Sequence, residues 1–274
     1  PVAHSISPLM HNEAFRLLEL DYVYLCFDVN EETLPAAVAG LRTCGIRGFN
    51  LTMPNKNKIV ELLDELSPEA QLIGAVNTVL NDNGKLIGYN TDGYGFMQSV
   101  RDAGHDITGK NITVMGVGGA SMAICAQSAL DGAASVHIFA RRTSRYWNRT
   151  QKFAENLSAK TGCQVCLFDN DDHTALRDSI AQSYLLINAT SVGMVPDIDD
   201  TIIKDTSLFH PELVVADVVY EPQETRLLRE AKAAGCQTFN GMYMLLHQGA
   251  KAFQIWTGQE MPVSVIKEKY FSVK

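Results

Sequence analysis

The stretch NITVMGVGGASMAICAQSALDGA, residues 111–133, constrains the fold more than any other part of the chain. A run rich in strand-forming residues enters a glycine turn at Gly116. A helix-forming run with small residues on its first turns leaves it. Gly116-x-Gly118-Gly119-Ala120-Ser121 follows the GxGxx(G/A) spacing that joins strand to helix in dinucleotide-binding units, with Val117 between the first two glycines. Gly116 suits the tight turn. Gly118 lets the backbone approach a pyrophosphate, whose charge rests on the helix N-terminus. Ser121 departs from the third slot but is small enough for helix–strand packing. A glycine cluster alone also serves as a plain structural turn. The strand before it and the helix after it favour a cofactor.

The regions that follow keep the rhythm. SVHIFAR reads as a strand, RYWNRTQKFAENLSAKTG as a helix, QVCLFD as a strand and DHTALRDSIAQ as a helix. YLLINATSVG and ELVVADVVY read as strands, ETRLLREAKAAG as a helix and QTFNG as a short strand. Strand–helix alternation of this kind predicts a Rossmann-type parallel sheet over residues 104–240. An NAD site usually carries an acid at the end of the second strand, about 20 residues past the glycines. Here HIFARRTSRYW has none, and Arg141 and Arg142 stand at the strand end, followed by Thr143 and Ser144. Two guanidiniums beside two hydroxyls suit a 2′-phosphate, which favours NADP, with NAD possible. The plainer alternative is a solvated basic turn.

The first hundred residues also alternate. SISPLMHNEAFRLLEL reads as a helix capped by Ser7 with Pro8 in its first turn, and DYVYLCFDV as a strand. EETLPAAVAGLRTCG is a helix ended by Gly45, IRGFNLTM a strand and NKIVELLDEL a helix. AVNTVLNDNGKLIGYNT predicts a hairpin about Asn83-Gly84, and GYGFMQSVRDAG a helix. The closing apolar helix, MYMLLHQGAKAFQIWTG after Gly241, has no strand of its own to cover and is expected to pack back on the first domain. The expected fold is therefore two-domain α/β: a substrate domain from residues 1–103 plus 241–274, a dinucleotide domain from 104–240, and an active-site cleft between them.

Composition narrows the partners. A formal net charge of −8 disfavours nucleic acid and anionic membranes but leaves room for a small anionic substrate in a local cationic pocket. No apolar run approaches the roughly 20 residues of a membrane helix, and no signal peptide is visible. Six scattered cysteines fit a reduced cytoplasm rather than a disulfide framework. Cys163 and Cys166 form a CxxC inside a strand-like run, whereas a redox pair opens a helix, so they are read as structural. No Cys/His/Asp spacing suggests a metal. His4, His11 and His247 are read as hydrogen-bonded structural residues.

Several strings rich in small polar residues fall where strands end or helices begin: HSISPLMHN, NLTMPNK, AVNT and NTDGYG. Any one of them suits a cap or turn. Together, beside a cofactor domain, they read as the rim of a polar substrate pocket. With GVGGAS, INATSVGM, DVVYEPQET and GMYMLLHQGAKAFQIWTG they run in order across nearly the whole chain, and in them the chain resembles the shikimate dehydrogenase family, including its quinate/shikimate branch.

The resemblance implies reversible nicotinamide-dependent reduction of 3-dehydroshikimate to shikimate in aromatic amino-acid biosynthesis, and a short strand ahead of Pro1. It implies Lys56 as the catalytic lysine closing N-x-T-x-P-x-K, with Asp92 as its partner. Ser5 and Ser7 would hold the substrate carboxylate, and Thr52, Asn77, Tyr220 and Gln248 would contact ring hydroxyls or carboxylate. Gly116, Val117, Gly118, Gly119 and Ala120 match the phosphate loop, Ala140, Arg141, Arg142 and Thr143 the adenosine-ribose loop, and Ser191 and Gly241 positions near the cofactor. The residue types fit the chemistry. Hydride delivery to a carbonyl leaves charge on oxygen, which a positioned ammonium stabilises and protonates. Ala140 stands where the family often has asparagine, and Thr143 where the dual-cofactor branch carries an acid, so NAD stays open beside NADP.

Alternatives are a quinate or aminoshikimate-type dehydrogenase, a catalytically silent nicotinamide-binding regulator, and a binding module for acidic partners, which the charge disfavours. A monomer or homodimer acting on a small molecule is expected.

Overall fold

The computed structural model describes residues 5–271. The chain divides into two compact units, one running to Gly95 and resuming at Leu245, the other spanning Phe96–Met244. The chain passes between them inside two helices, α5 (Asp92–Asp102) and α10 (Met242–Thr257). The loops after residues 103 and before 241, where sequence punctuation is strongest, lie just outside these transitions.

In the first unit, helices α1 (Ser7–Leu17) and α2 (Leu34–Thr43) precede a four-stranded sheet. Its strands are β1 (Gly48–Asn50), β2 (Glu65–Leu66), β3 (Thr78–Asp82) and β4 (Lys85–Tyr89), in spatial order β1-β3-β4-β2. β3 pairs antiparallel with both β1 and β4, and β2 pairs parallel with β4. The β3–β4 turn is the expected one: Asn83 and Gly84 take positive φ of 52° and 92°, the conformation an Asn-Gly hairpin needs. Leu34, Val38, Ile59, Val76, Val79 and Leu86 form the apolar core under this sheet.

Three local expectations change. Ser7 does not cap α1: Ile6 holds the cap position, no side chain caps it, and Ser7 and Pro8 are the first helical residues. DYVYLCFDV forms no strand. Its Tyr24 backbone is paired on both sides by the Asn12 side chain, at 2.7 and 2.9 Å, and Val23, Leu25 and Phe27 are exposed. NKIVELLDEL is not one helix but a single turn α3 (Asn55–Lys58), a 3-10 turn (Ile59–Leu62) and then β2. Edge pairing with β4 wins there, because a Cβ at Gly88 would lie 2.5 Å from Leu63 and 2.9 Å from Leu66; only glycine lets those leucines close down. Two helices the sequence reading passed over are α4 (Pro68–Ile73), capped by Ser67 and ended at left-handed Gly74, and α11 (Val263–Tyr270).

Past its third residue α10 belongs to the first unit and packs on it as expected. Trp256 donates to the Val79 carbonyl at 2.9 Å, Phe253 stacks on Phe15, and a Cβ at Gly249 would strike Met10.

The second unit is a six-stranded, wholly parallel sheet in spatial order β10-β9-β8-β5-β6-β7. Its strands are β5 (Asn111–Met115), β6 (Ser135–Ala140), β7 (Gln164–Asp169), β8 (Leu185–Asn188), β9 (Val214–Asp217) and β10 (Gln237–Phe239). Its helices are α6 (Gly119–Leu130), α7 (Trp147–Thr161), α8 (His173–Gln182) and α9 (Arg226–Ala233). Counted within the unit, the order is 3-2-1-4-5-6 reversed, the doubly wound arrangement that binds ligands where strand order reverses. The reversal falls between β5 and β8. Cys166 lies in β7 and Cys163 just before it, both free, and burial pushes the Cys163 thiol up to about 11. That is the structural role expected of them.

Candidate active site

In the first unit the strand register delivers the polar residues to one place. The Asn83-Gly84 turn sets Thr78 opposite Tyr89, so Asn77 lies beside Thr91 and Asp92 one step beyond the ladder. The β1–β3 register sets Asn50 opposite Thr78, and Leu51 donates to the Asn77 carbonyl. The chain then turns into α3, where the Lys56 carbonyl accepts from Val76 at 2.8 Å. Lys56 and Asp92 are 36 residues apart in sequence and meet because two strand pairings converge on Asn77.

Lys56 Nζ lies 2.5 Å from Asp92 Oδ2, with both side chains largely sheltered. The other carboxylate oxygen, Oδ1, accepts from Asn77 Nδ2 at 2.8 Å. Asn77 is 2% exposed and is the hub. Its amide nitrogen also reaches Thr91 Oγ1 at 2.9 Å and Gln248 Oε1 at 3.5 Å. Its oxygen accepts from the Thr91 backbone and from Thr78 Oγ1, each at 2.9 Å. A carboxylate held on both oxygens has one orientation open to it, so the ammonium it holds is fixed as well.

The network continues away from the ion pair. Asn50 Nδ2 donates to Thr78 Oγ1 at 3.0 Å, and Tyr24 Oη donates to Asn50 Oδ1 at 2.9 Å. Burial pushes the Tyr24 phenol up, opposed by its contact with the Ser7 hydroxyl. Ser5 is exposed, and its Oγ accepts the Ser7 N–H at 3.2 Å. Thr52 is exposed in the turn before α3. Ser7, Lys56, Asn77, Asp92 and Gln248 are thus joined, while Tyr220 belongs to the second unit and is 42% exposed. Tyr24, Asn50, Thr78 and Thr91 complete the network without having been singled out by sequence. Asn50 and Thr91 were legible inside NLTMPNK and NTDGYG, but nothing local marks Tyr24, whose partner lies 26 residues on.

His11, expected to be hydrogen bonded, is not. It is fully buried, its ring stacks on Tyr24 at 4.6 Å, and neither nitrogen has a partner among the described residues. Burial lowers its pKa to about 3. His4 lies outside the described residues.

In the second unit the glycine turn closes β5. Gly116 has φ +110°, and a Cβ there would lie 2.7 Å from Thr190 Cγ2 and 3.0 Å from the Ala189 carbonyl oxygen. Gly118 and Gly119 are exposed, with nothing within 4 Å of a notional Cβ. Gly118 caps α6 without a side-chain hydrogen bond, which leaves the first-turn amides of a 12-residue helix for an anion. Open space before two glycines and undonated helix amides fit a dinucleotide pyrophosphate. At the end of β6, Ala140 turns its methyl into the core, and its carbonyl accepts from Asn170. Arg141, Arg142 and Thr143 stand exposed beyond it, with Arg142 over the Trp147 ring at 4.6 Å. Those donors fit a 2′-phosphate. Ser191 is exposed after β8. Gly241 is buried and packs so closely that a Cβ would lie 2.1 Å from the Val218 carbonyl oxygen. Among the described residues no group of His, Cys, Asp or Glu could hold a metal.

Comparisons with known proteins show the family. Residues 1–79 match the shikimate dehydrogenase substrate binding domain, and residues 241–269 the shikimate 5′-dehydrogenase C-terminal domain. A shikimate dehydrogenase (NADP(+)) of Listeria innocua is 52% identical over 271 residues, covering 99% of this chain and 93% of the relative. The structure of shikimate 5-dehydrogenase from Listeria monocytogenes, in complex with shikimate and NAD, matches with a TM-score of 0.95 at 52% identity, over 98% of this chain and 92% of the other. Quinate dehydrogenase from Corynebacterium glutamicum, in complex with NAD, matches with a TM-score of 0.87 at 31% identity, over 100% of this chain and 96% of the other.

Proposed function

The chain belongs to the shikimate dehydrogenase family, and from that premise we propose that it reversibly reduces 3-dehydroshikimate to shikimate with NADP(H), Lys56 exchanging the proton with the reacting oxygen. The observation that carries the assignment of Lys56 is its 2.5 Å contact with an Asp92 already fixed by Asn77.

The bound dinucleotide supplies or accepts the hydride. Everything else is the work of this chain. In reduction, the Lys56 ammonium donates a hydrogen bond to the carbonyl oxygen, stabilises the charge that grows there, and passes it a proton. In oxidation the same amine takes the hydroxyl proton, and Asp92 stabilises the ammonium that results. Gln248, bonded to Asn77 in this network, offers its remaining amide groups to ring hydroxyls, and Asn77 would contact the ring from the same place. Ser5 and Ser7 offer neutral donors to the carboxylate, and Thr52 and Tyr220 further hydroxyls. The substrate domain is the segment 1–103 with 241–274, and residues 104–240 hold the cofactor. There, Gly116 to Ala120 and the α6 N-terminus receive the pyrophosphate, and Ala140 to Thr143 the adenosine ribose and its phosphate. Ser191 and Gly241 flank the cofactor.

Free cysteines support a reducing cytoplasm, and the net charge of −8 supports a small-molecule partner over nucleic acid. Among the described residues no helix is long and apolar enough to cross a membrane. The enzyme acts as a monomer or homodimer.

The test is oxidation of shikimate and of quinate, each with NADP and with NAD. The expected order puts shikimate with NADP first. Higher kcat/KM for quinate would move the chain to the quinate branch, and inactivity on all four pairs would leave a silent cofactor-binding regulator.

A further inference from the structure

We propose that Asp217 is a positioning residue that ties together the loops after β8 and β9, and through them sets Ser191 and Tyr220. The inference rests on the roles proposed above for those two residues. Asp217 ends β9 and is 0% exposed. Its register partner on β8 is Asn188, the last residue of that strand. A buried carboxylate is costly unless donors satisfy it. Here three do: Asn188 Nδ2 at 3.0 Å and the Val219 N–H at 2.9 Å reach Oδ1, and Thr225 Oγ1 at 2.7 Å reaches Oδ2. No Lys, Arg or His is paired with it among the described residues. Burial pushes its carboxyl up, and the three donors oppose that shift.

Each donor belongs to a different part of the same crest. Asn188 shapes the β8 loop: its Oδ1 accepts from the Thr190 N–H at 3.1 Å and from Thr190 Oγ1 at 2.6 Å, and its Nδ2 also reaches the Val192 carbonyl at 3.2 Å. Ser191 lies inside that turn. Val219 immediately precedes Tyr220, and Thr225 caps α9, which closes the β9 loop. Thr190 in turn abuts the Gly116 turn. One carboxylate thus fixes both ends of the Tyr220 loop and the strand end from which the Ser191 loop departs. It lies at the carboxyl edge of the sheet, where doubly wound folds bind ligands.

The test combines kinetics with amide hydrogen exchange on the ligand-free protein. Asp217→Ala is expected to lower kcat/KM for shikimate about 10-fold or more, the size of losing hydrogen bonds to a charged group. It should also speed exchange at Thr190, Val192 and Val219 while the β5 amides keep their protection. Asp217→Asn, whose amide oxygen still accepts from Asn188 and Val219, should recover most of both losses. Unchanged exchange in the two loops, uniformly faster exchange across the sheet, or an Asn variant as impaired as Ala would each overturn the proposal. Should Asp217→Ala fail to fold, Thr225→Val removes one donor and is expected to speed exchange at Val219 and lower kcat/KM; wild-type values in both would count against it. Exchange needs no turnover, so a wild type inactive on shikimate would strike the proposed function and leave this result readable.

Discussion

Lys56 and Lys58 sit two residues apart in the single turn α3, yet they meet different surroundings. Lys58 is half exposed and only 3.9 Å from Glu61, itself mostly in solvent. Such pairs contribute little. Lys56 is held by an aspartate that a buried asparagine holds in turn. Asp92→Asn keeps the shape and removes the charge that fixes the ammonium. It is expected to lower kcat for shikimate about 10²-fold or more, within the range of general acid–base catalysis, with little change in dinucleotide affinity measured by fluorescence titration. A similar choice arises at the arginines. Arg142 is committed to the Trp147 ring, and Arg141 stands exposed beside it in sequence. Both Arg141→Ala and Arg142→Ala should raise KM for NADPH more than for NADH, and equal effects on the two cofactors would remove the 2′-phosphate from the account. Lys56, Asp92 and Asn77 were legible because each lies in a short polar string at an element end, from which the family resemblance singles it out. Tyr24 and Thr78 were not: Thr78 meets Asn50 only through the β1–β3 pairing, and Tyr24 meets it from a segment held by the Asn12 side chain.

At the scale of elements, signals that rest on backbone conformation carried through and those that rest on propensity alone did not. The Asn-Gly turn requires positive φ at both residues, so hairpin and register followed. The Gly116 turn likewise demands glycine, for φ and for space. Gly116→Ala is therefore expected to cost about 1–3 kcal/mol of stability through strain and overpacking against Thr190, read as a lowered denaturation midpoint, and to weaken NADP binding. DYVYLCFDV is rich in the strand formers Tyr, Val and Phe, but its backbone is engaged by Asn12 instead of a ladder. NKIVELLDEL has helical spacing, but pairing with β4 and the leucines over Gly88 draw its last two residues into an edge strand. Short segments of this kind are decided by neighbours that sequence does not display.

At the scale of the whole molecule, acid should expose one concealed feature. His11 is buried against Tyr24 with no hydrogen-bond partner among the described residues, and its pKa falls to about 3. Above the ordinary value of 6.5 neither folded nor unfolded chain protonates it. As pH falls below that, the unfolded chain takes up a proton that the folded chain refuses. Stability then drops by about 1.4 kcal/mol for each pH unit until the folded value is reached. Denaturant titrations of wild type and His11→Phe between pH 6.5 and 4.5 should differ by that slope; parallel curves would mean that the ring finds a partner in solution. The doubly wound order was legible from alternation and the glycine turn, because right-handed crossovers leave few topologies. That the chain passes between units inside α5 and α10 was not, since helical periodicity is blind to which body each turn packs against.

In the proposed mechanism Lys56, held by Asp92, exchanges the proton. The most direct test of that role is steady-state oxidation of shikimate with NADP by wild type, Lys56→Ala and Lys58→Ala, with shikimate affinity measured separately. The kcat of Lys56→Ala is expected to fall by about 10²-fold or more with affinity only modestly changed, and Lys58→Ala is expected to match wild type. A Lys56→Ala enzyme that keeps its kcat, or a Lys58→Ala enzyme that loses it to the same degree, would contradict the mechanism.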